Sequence, residues 1–382
     1  MHIAIIAEYN PFHSGHAYQI EQVRKAFGKE ACITVILGGI FSQRGAPYIA
    51  PPYVRAEAAV ACGADLVLEL PFPFSCAPAG IFARAGVEIA AKIGANILAF
   101  GSESGDLAAL ETKRRRLDSD EFREALAAAK DETVSKTRLY TRVYEEVYGE
   151  EAPKMPNDIL AIEYLRAIEQ SGAALRPYTV LRKGDYKSGE GGFASASVLR
   201  DAYAAHGLKA LQSGMPEAAY AVLETAEREG LLAPDYEKLA GAVLLKFAEG
   251  KGDVAFALGG LSGHIAKAAK TAKNIAALLD AASTARYTDA EIARCILYTL
   301  LSVRTEDMDA PVLYTRVLAM GERGRAVLAE KHAIEILTKP SAVQKLSAAA
   351  RAQYVKTFYA ERAYAITLSG DYDHLKQTPR IL

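Results

Sequence analysis

The pattern that most restricts this chain is an alternation in its first half: short apolar runs of strand length, separated by stretches long enough for crossover helices. The runs are His2–Tyr9, Cys32–Leu37, Leu66–Leu70, Ile97–Phe100 and Pro177–Leu181. Such alternation predicts an α/β fold, a Rossmann-like parallel sheet with helices on both faces. The first run stops at Asn10-Pro11, and from Gly15 the spacing turns helical through Tyr18, Ile20, Val23 and Phe27 until Gly28. A charge-rich helical stretch near residues 106–154 interrupts the alternation and reads as an insertion. After about Ala205 strand signals fade, and Ala, Leu, Glu and Lys recur at helical spacing as far as Tyr364. We therefore expect two domains, 1–205 with the sheet and 206–382 mostly α-helical.

Composition removes several classes of function. Hydrophobic residues at 51% against 24% charged leave little room for disorder. No apolar run approaches the roughly 20 residues a membrane span needs, and the chain enters its first strand without a basic leader, so the expected location is the cytoplasm. Cys32, Cys62, Cys76 and Cys295 form no Cys-x-x-Cys pair, which argues against a disulfide framework or a zinc site. With 45 basic and 46 acidic side chains the net charge is −1, so a polyanionic partner would have to be held by a local patch.

Chemistry concentrates at Asn10-Pro11-Phe12-His13-Ser14-Gly15-His16, where the first strand delivers the chain to the first helix. Open α/β sheets bind ligands beyond their strand carboxyl ends, and a helix N-terminus there aims unpaired N–H groups and a positive dipole at phosphate. Gly15 lets backbone approach the ligand. His13 and His16 are the candidate catalytic residues: three apart, both can offer ring N–H donors to phosphate oxygens and stabilise charge during displacement without covalent chemistry. No Gly-x-x-x-x-Gly-Lys-Ser/Thr loop competes for the nucleotide.

Other segments fit the same site. Gly101, in Phe100-Gly101-Ser102-Glu103, reads as bare backbone for adenine or ribose, or as a plain turn glycine. Asn157, after Pro156, reads as a helix N-cap or a ligand contact, and Arg182 ends the fifth strand run. Ser195, Ser197 and Arg200 follow Gly189, Gly191 and Gly192 and are candidate triphosphate contacts, with a simple N-cap role open for Ser195. Lys267, Lys270 and Lys273 recur every three residues, which suggests a basic stripe on one helix side and candidate RNA contacts.

Taken together these residues resemble the bacterial tRNA(Met) cytidine acetate ligases, within the His-x-Gly-His nucleotidylyl-transferase superfamily. The resemblance runs through Glu8–His16, Gln43-Arg44-Gly45-Ala46-Pro47, Gly63–Pro71, Phe100–Glu103, Pro156–Leu160 and Ala194–Ser197, in the family's order and spacing. It implies ATP-binding residues Ala7, Glu8, Tyr9, Asn10, Pro11, Phe12, His13, Ser14, Gly15, His16, Ala17, Tyr18, Gln19 and Ile20, with Gly101, Asn157 and Arg182. It also implies ATP as substrate, accompanied by Mg²⁺, with acetate and elongator tRNA(Met) as the other reactants and no stable protein partner. The implied reaction activates acetate as acetyl-adenylate and passes the acetyl group to the wobble cytidine to give N4-acetylcytidine. The sequence departs from the family at Ile40 and Asp158, where asparagine is usual. Two other readings fit the motif: a small-molecule nucleotidylyltransferase or acid–amine ligase, and a non-catalytic RNA-binding protein on the same fold.

Overall fold

A computed structural model of the chain describes residues 1–129, 134–183, 193–249, 260–373 and 375–382. The five expected strands form, as β1 (His2–Ala7), β2 (Cys32–Gly38), β3 (Leu66–Leu70), β4 (Ile97–Ser102) and β5 (Arg176–Leu181). They pair in parallel in the order β5-β4-β1-β2-β3. Their apolar runs do not alternate with polar residues because both sheet faces are covered. Ile3, Ile5, Ile33 and Val35 enter one core, while Ala4, Ile6, Ile36 and Leu68 enter the other. Helix α1 (Ser14–Phe27) stops at Gly28, whose φ of 89° lies in the region that favours glycine. Next come α2 (Pro52–Ala61) and α3 (Ala79–Lys92). Three helices, α4 (Leu107–Leu117), α5 (Asp120–Ala128) and α6 (Lys136–Tyr148), occupy the stretch near 106–154, before α7 (Pro156–Ser171) and α8 (Ala196–His206).

Among the described residues, the second half is largely helical but contributes β6 (Tyr314–Met320), β7 (Glu335–Leu337) and β8 (Arg380–Ile381). Strand β6 pairs antiparallel with β3 and carries β7 and β8 as parallel neighbours, completing an eight-stranded sheet. One core cluster runs without a break from Ile3 to Tyr372, so the two halves share an interior.

Charge reinforces that seam. Arg316 of β6 donates to both oxygens of Glu69 on β3, at 2.6 and 2.7 Å, and to both oxygens of Glu361 on the helix Ala348–Thr367, at 3.1 and 2.7 Å. All three side chains are buried. Burial raises both carboxyls above their ordinary range, and Arg316 works against that rise. Arg55, also buried, adds a second cation: it donates to the carbonyls of Ala50, Glu8, Gly38 and Gly39 and stacks 3.9 Å from the Tyr48 ring centroid. That side chain ties together the carboxyl ends of β1 and β2, from which two site loops depart.

Candidate active site

The chain order reverses around β1, which lies between β4 and β2. A cleft of about 490 Å³ opens there, at the strand carboxyl ends where such a reversal leaves a crevice. Leaving β1, the chain turns through Tyr9 at φ 46°, uncommon for a residue with a side chain, and a cis Asn10–Pro11 peptide. Asn10 accepts the Ile49 N–H at 2.8 Å, which pins the turn to the neighbouring loop.

His13 caps α1. Its Nδ1 accepts the Gly15 N–H at 3.0 Å, and its own backbone N–H donates to His16 Nδ1 at 3.2 Å. This is a reciprocal capping box built from two imidazoles, whose rings stack with centroids 3.7 Å apart. Because each Nδ1 accepts a backbone proton, each neutral ring carries its own proton on Nε2. Burial, followed by the charge of Arg182, pushes the His13 imidazolium down to about 3. Burial, His13 and Arg182 likewise hold His16 well below its ordinary value. Both rings are therefore neutral Nε2–H donors at physiological pH, and positive charge in the cleft comes from arginine. Gly15 has a steric reason beyond ligand access: a Cβ there would sit 2.8 Å from His13 Cε1, against the capping ring.

Of the run Ala7–Ile20, the residues lining the cleft are Ala7, Glu8, Tyr9, Asn10, His13, His16 and Gln19. Gly15 and Tyr18 instead line a small adjoining hollow with Phe193 and Lys183, the lysine lying 4.7 Å from the Tyr18 ring centroid. Phe12 and Ile20 belong to the core, as does the partly buried Ala17; Pro11 is buried in the turn, and Ser14 donates to the Gly214 carbonyl at 3.1 Å. These five support the site from behind rather than face it.

Pairing of β4 with β5 brings Gly101 and Arg182 together: a Cβ on Gly101 would lie 3.3 Å from Arg182 Cγ. Arg182 donates to Asn157 Oδ1 at 3.4 Å, and Asn157 Nδ2 donates to Glu103 at 2.5 Å. The N-cap expectation for Asn157 is corrected. Met155 holds that position without a side-chain bond, because Pro156 opens the helix and moves Asn157 inside its first turn. Glu103 takes over the cap, accepting the Asp158 N–H at 2.9 Å, while Asp158 in return accepts the Glu103 N–H at 2.9 Å. Only an acceptor is needed there, so Asp158 fills the role through its oxygen. Ile40 is a buried core residue, not a cleft residue.

Ser195 caps α8 by accepting the Val198 N–H at 3.3 Å. Ser195, Ser197 and Arg200 all line the cleft, and Arg200 donates to the Asn10 carbonyl at 2.7 Å and to Ser197 Oγ at 3.2 Å. The preceding Gly189, Gly191 and Gly192 lie outside the described residues. The basic stripe is corrected: its helix ends at Ala269, so Lys267 occupies the last turn, Lys270 the C-cap and Lys273 the following loop, all exposed but not on one helix face. The cleft also recruits residues outside the expected site set, among them Gln43 and Arg44 of the resembling motif, and Phe82, Tyr164 and Arg294. Arg294, from the helix Asp289–Leu301 of the second half, donates to the Gln43 carbonyl at 2.6 Å.

A nucleotide-sized cleft at the sheet's chain reversal, headed by paired imidazoles at a helix N-terminus, is the architecture of a nucleotidyl transferase. The model of the HIGH nucleotidyl transferase family matches residues 1–378, and the chain belongs to that family. Among its relatives is the tRNA(Met) cytidine acetate ligase of Syntrophotalea carbinolica, 36% identical over 344 residues, covering 85% of this chain and 81% of the relative. The enzyme of the same name from Caldanaerobacter subterraneus subsp. tengcongensis is 32% identical over 358 residues, 88% of each chain. The same fold occurs in Thermotoga maritima TmcAL, in a crystal structure bound with α-thio ATP and in an apo form. These superpose with TM-scores of 0.87 and 0.89 at 24% identity, covering 100% of this chain and 99% of each of those. No helix among the described residues is long and apolar enough to cross a membrane.

Proposed function

We propose that this chain is an ATP-dependent tRNA cytidine acetate ligase. Acetate attacks the α-phosphate of ATP and releases pyrophosphate; the acetyl-adenylate then acylates the exocyclic amine of the wobble cytidine in elongator tRNA(Met). The observation that carries the reading is the pair of neutral, stacked imidazoles at the start of α1, each with Nε2–H to offer, beside Arg182 in the cleft. Preorganised donors of this kind stabilise charge building on a phosphoryl group. Curated relatives that bear this enzyme's name, at 85 to 88% coverage of this chain, supply the acid and the acceptor.

In this reading Gly101, Asn157 and Arg182 hold the nucleoside side of ATP, and Ser195, Ser197 and Arg200 the triphosphate. Mg²⁺ would travel with the phosphates. No cluster of three or more His, Cys, Asp or Glu side chains fit for a metal exists among the described residues, so phosphate oxygens and water would supply most of its ligands. Residues 1–205 carry the nucleotide chemistry and 206–382 face the tRNA, with exposed Lys267, Lys270 and Lys273 as candidate phosphate contacts. An anticodon-loop base suits a cleft because it can leave its stack. The deciding experiment incubates the protein with labelled acetate, ATP, Mg²⁺ and unmodified bulk tRNA, then searches digested RNA for N4-acetylcytidine. ATP-dependent label in that nucleoside is expected; intact tRNA without label, beside demonstrated ATP binding, overturns the proposal.

A further inference from the structure

Acyl transfer to an amine leaves a proton that must go somewhere, and the cleft offers few acceptors. His13 and His16 are already committed, since each Nδ1 lone pair takes a backbone N–H and each Nε2 carries a proton. The arginines are permanently protonated. Among the described residues that line the cleft, Glu8 is the one carboxylate.

Its geometry suits a proton acceptor. Glu8 Oε1 is fixed by two donors, the Gln43 backbone N–H at 2.9 Å and the Tyr48 hydroxyl at 3.0 Å. Among the described residues none donates to Oε2, so one oxygen is anchored and the other has capacity for a ligand proton. Arg55 holds the same residue's carbonyl from beneath at 2.6 Å, so the backbone is as constrained as the side chain. Tyr164 lines the same cleft, buried, with a hydroxyl that has no hydrogen-bond partner among the described residues, and both burial and the Glu8 charge raise its phenol. A buried hydroxyl left unpaired is costly, which marks this region as one where a polar ligand group completes the site.

Resting on the ligase reading above, we propose that Glu8 is the general base of the acetyl-transfer step. The cytidine N4 lone pair attacks the acyl carbon, the new N–C bond forms, and the C–O bond of the mixed anhydride breaks. AMP leaves with that bonding pair, and one N4 proton passes to Glu8 Oε2 and on to water. Acetate activation releases no such proton.

The two half-reactions separate the possibilities. Acetate-dependent exchange of labelled pyrophosphate into ATP, without tRNA, reads activation; single-turnover acetylation of unmodified tRNA reads transfer. Glu8→Gln is expected to slow transfer on the order of 10²–10⁴-fold and exchange far less. Glu8→Asp, which retains a carboxylate, should fall between the two in transfer; it also provides the test should Glu8→Gln not fold. Parallel loss of exchange and transfer in a folded variant would assign Glu8 to phosphate or metal binding and overturn the proposal. Transfer at the parent's rate in Glu8→Gln also overturns it, and alone. A parent that performs neither half-reaction removes the ligase reading and this inference with it.

Discussion

Keeping His13 neutral makes the fold sensitive to acid, by an amount that can be worked out. An unfolded histidine titrates near 6.5, whereas the folded ring is held down to about 3 by burial and Arg182. Between those values the unfolded chain binds the extra proton, so stability rises with pH; this contribution is fully present above about 6.5 and is lost progressively as pH falls toward 3. From pH 7 to pH 5 the proton uptake of one such unfolded side chain is worth about 2 kcal/mol. His13→Asn isolates this contribution, because asparagine is a good N-cap and its Oδ1 can accept the Gly15 N–H in place of Nδ1. Urea unfolding of both proteins at pH 7 and pH 5 is the assay. The parent should lose about 2 kcal/mol more than the variant across that interval. Equal losses would mean that His13 is not held neutral in the fold, and the assignment of its Nε2–H as a standing donor would fail with it.

Two further expectations concern how the halves are joined. Arg316→Met leaves the Glu69 and Glu361 carboxylates buried without their shared partner and should cost roughly 3–5 kcal/mol, read from the urea midpoint. An unchanged midpoint would contradict the buried clasp. Gly45→Ala puts a Cβ 2.5 Å from the Arg294 backbone nitrogen at a φ of 76° and should cost on the order of 1–3 kcal/mol, with a fall in acetyl transfer as the Gln43-Arg44 loop shifts. Thermal melting checks the first effect and single-turnover acetylation the second; a variant that melts with the parent would show that this loop does not pack on the helix Asp289–Leu301.

The parallel part of the fold was legible because its strands are buried on both faces and therefore appear as uninterrupted apolar runs bounded by turns. The same property concealed β6. Tyr314–Met320 is a buried run within an Ala- and Leu-rich region, and only its length, its β-branched Thr315 and Val317, and the flanking Pro311 and Gly321 distinguish it from helix. The break in the lysine stripe had a signal as well. Asn274 accepts the Ala277 N–H at 2.8 Å as the N-cap of the next helix, so the preceding helix had to end before it. The imidazole pair could be found in sequence because its members are three residues apart on one turn. Arg294 could not: it stands 251 residues beyond Gln43, whose carbonyl it grips, and an arginine on a helix gives no indication of which loop will come to it. The tautomers were equally hidden, since backbone N–H groups set them.

The late arrival of β6 matters most while the chain is being made. Strand β3 leaves the ribosome roughly 250 residues before its antiparallel neighbour, an interval on the order of 10–50 s at ordinary rates of synthesis. During that time the nascent sheet has its parallel core but an unpaired apolar border at β3, with Glu69 waiting for its cation. An open edge of this kind recruits whatever strand is nearby. A chain cut before residue 314 would keep that border open for good, because no described residue made earlier pairs with the outer side of β3.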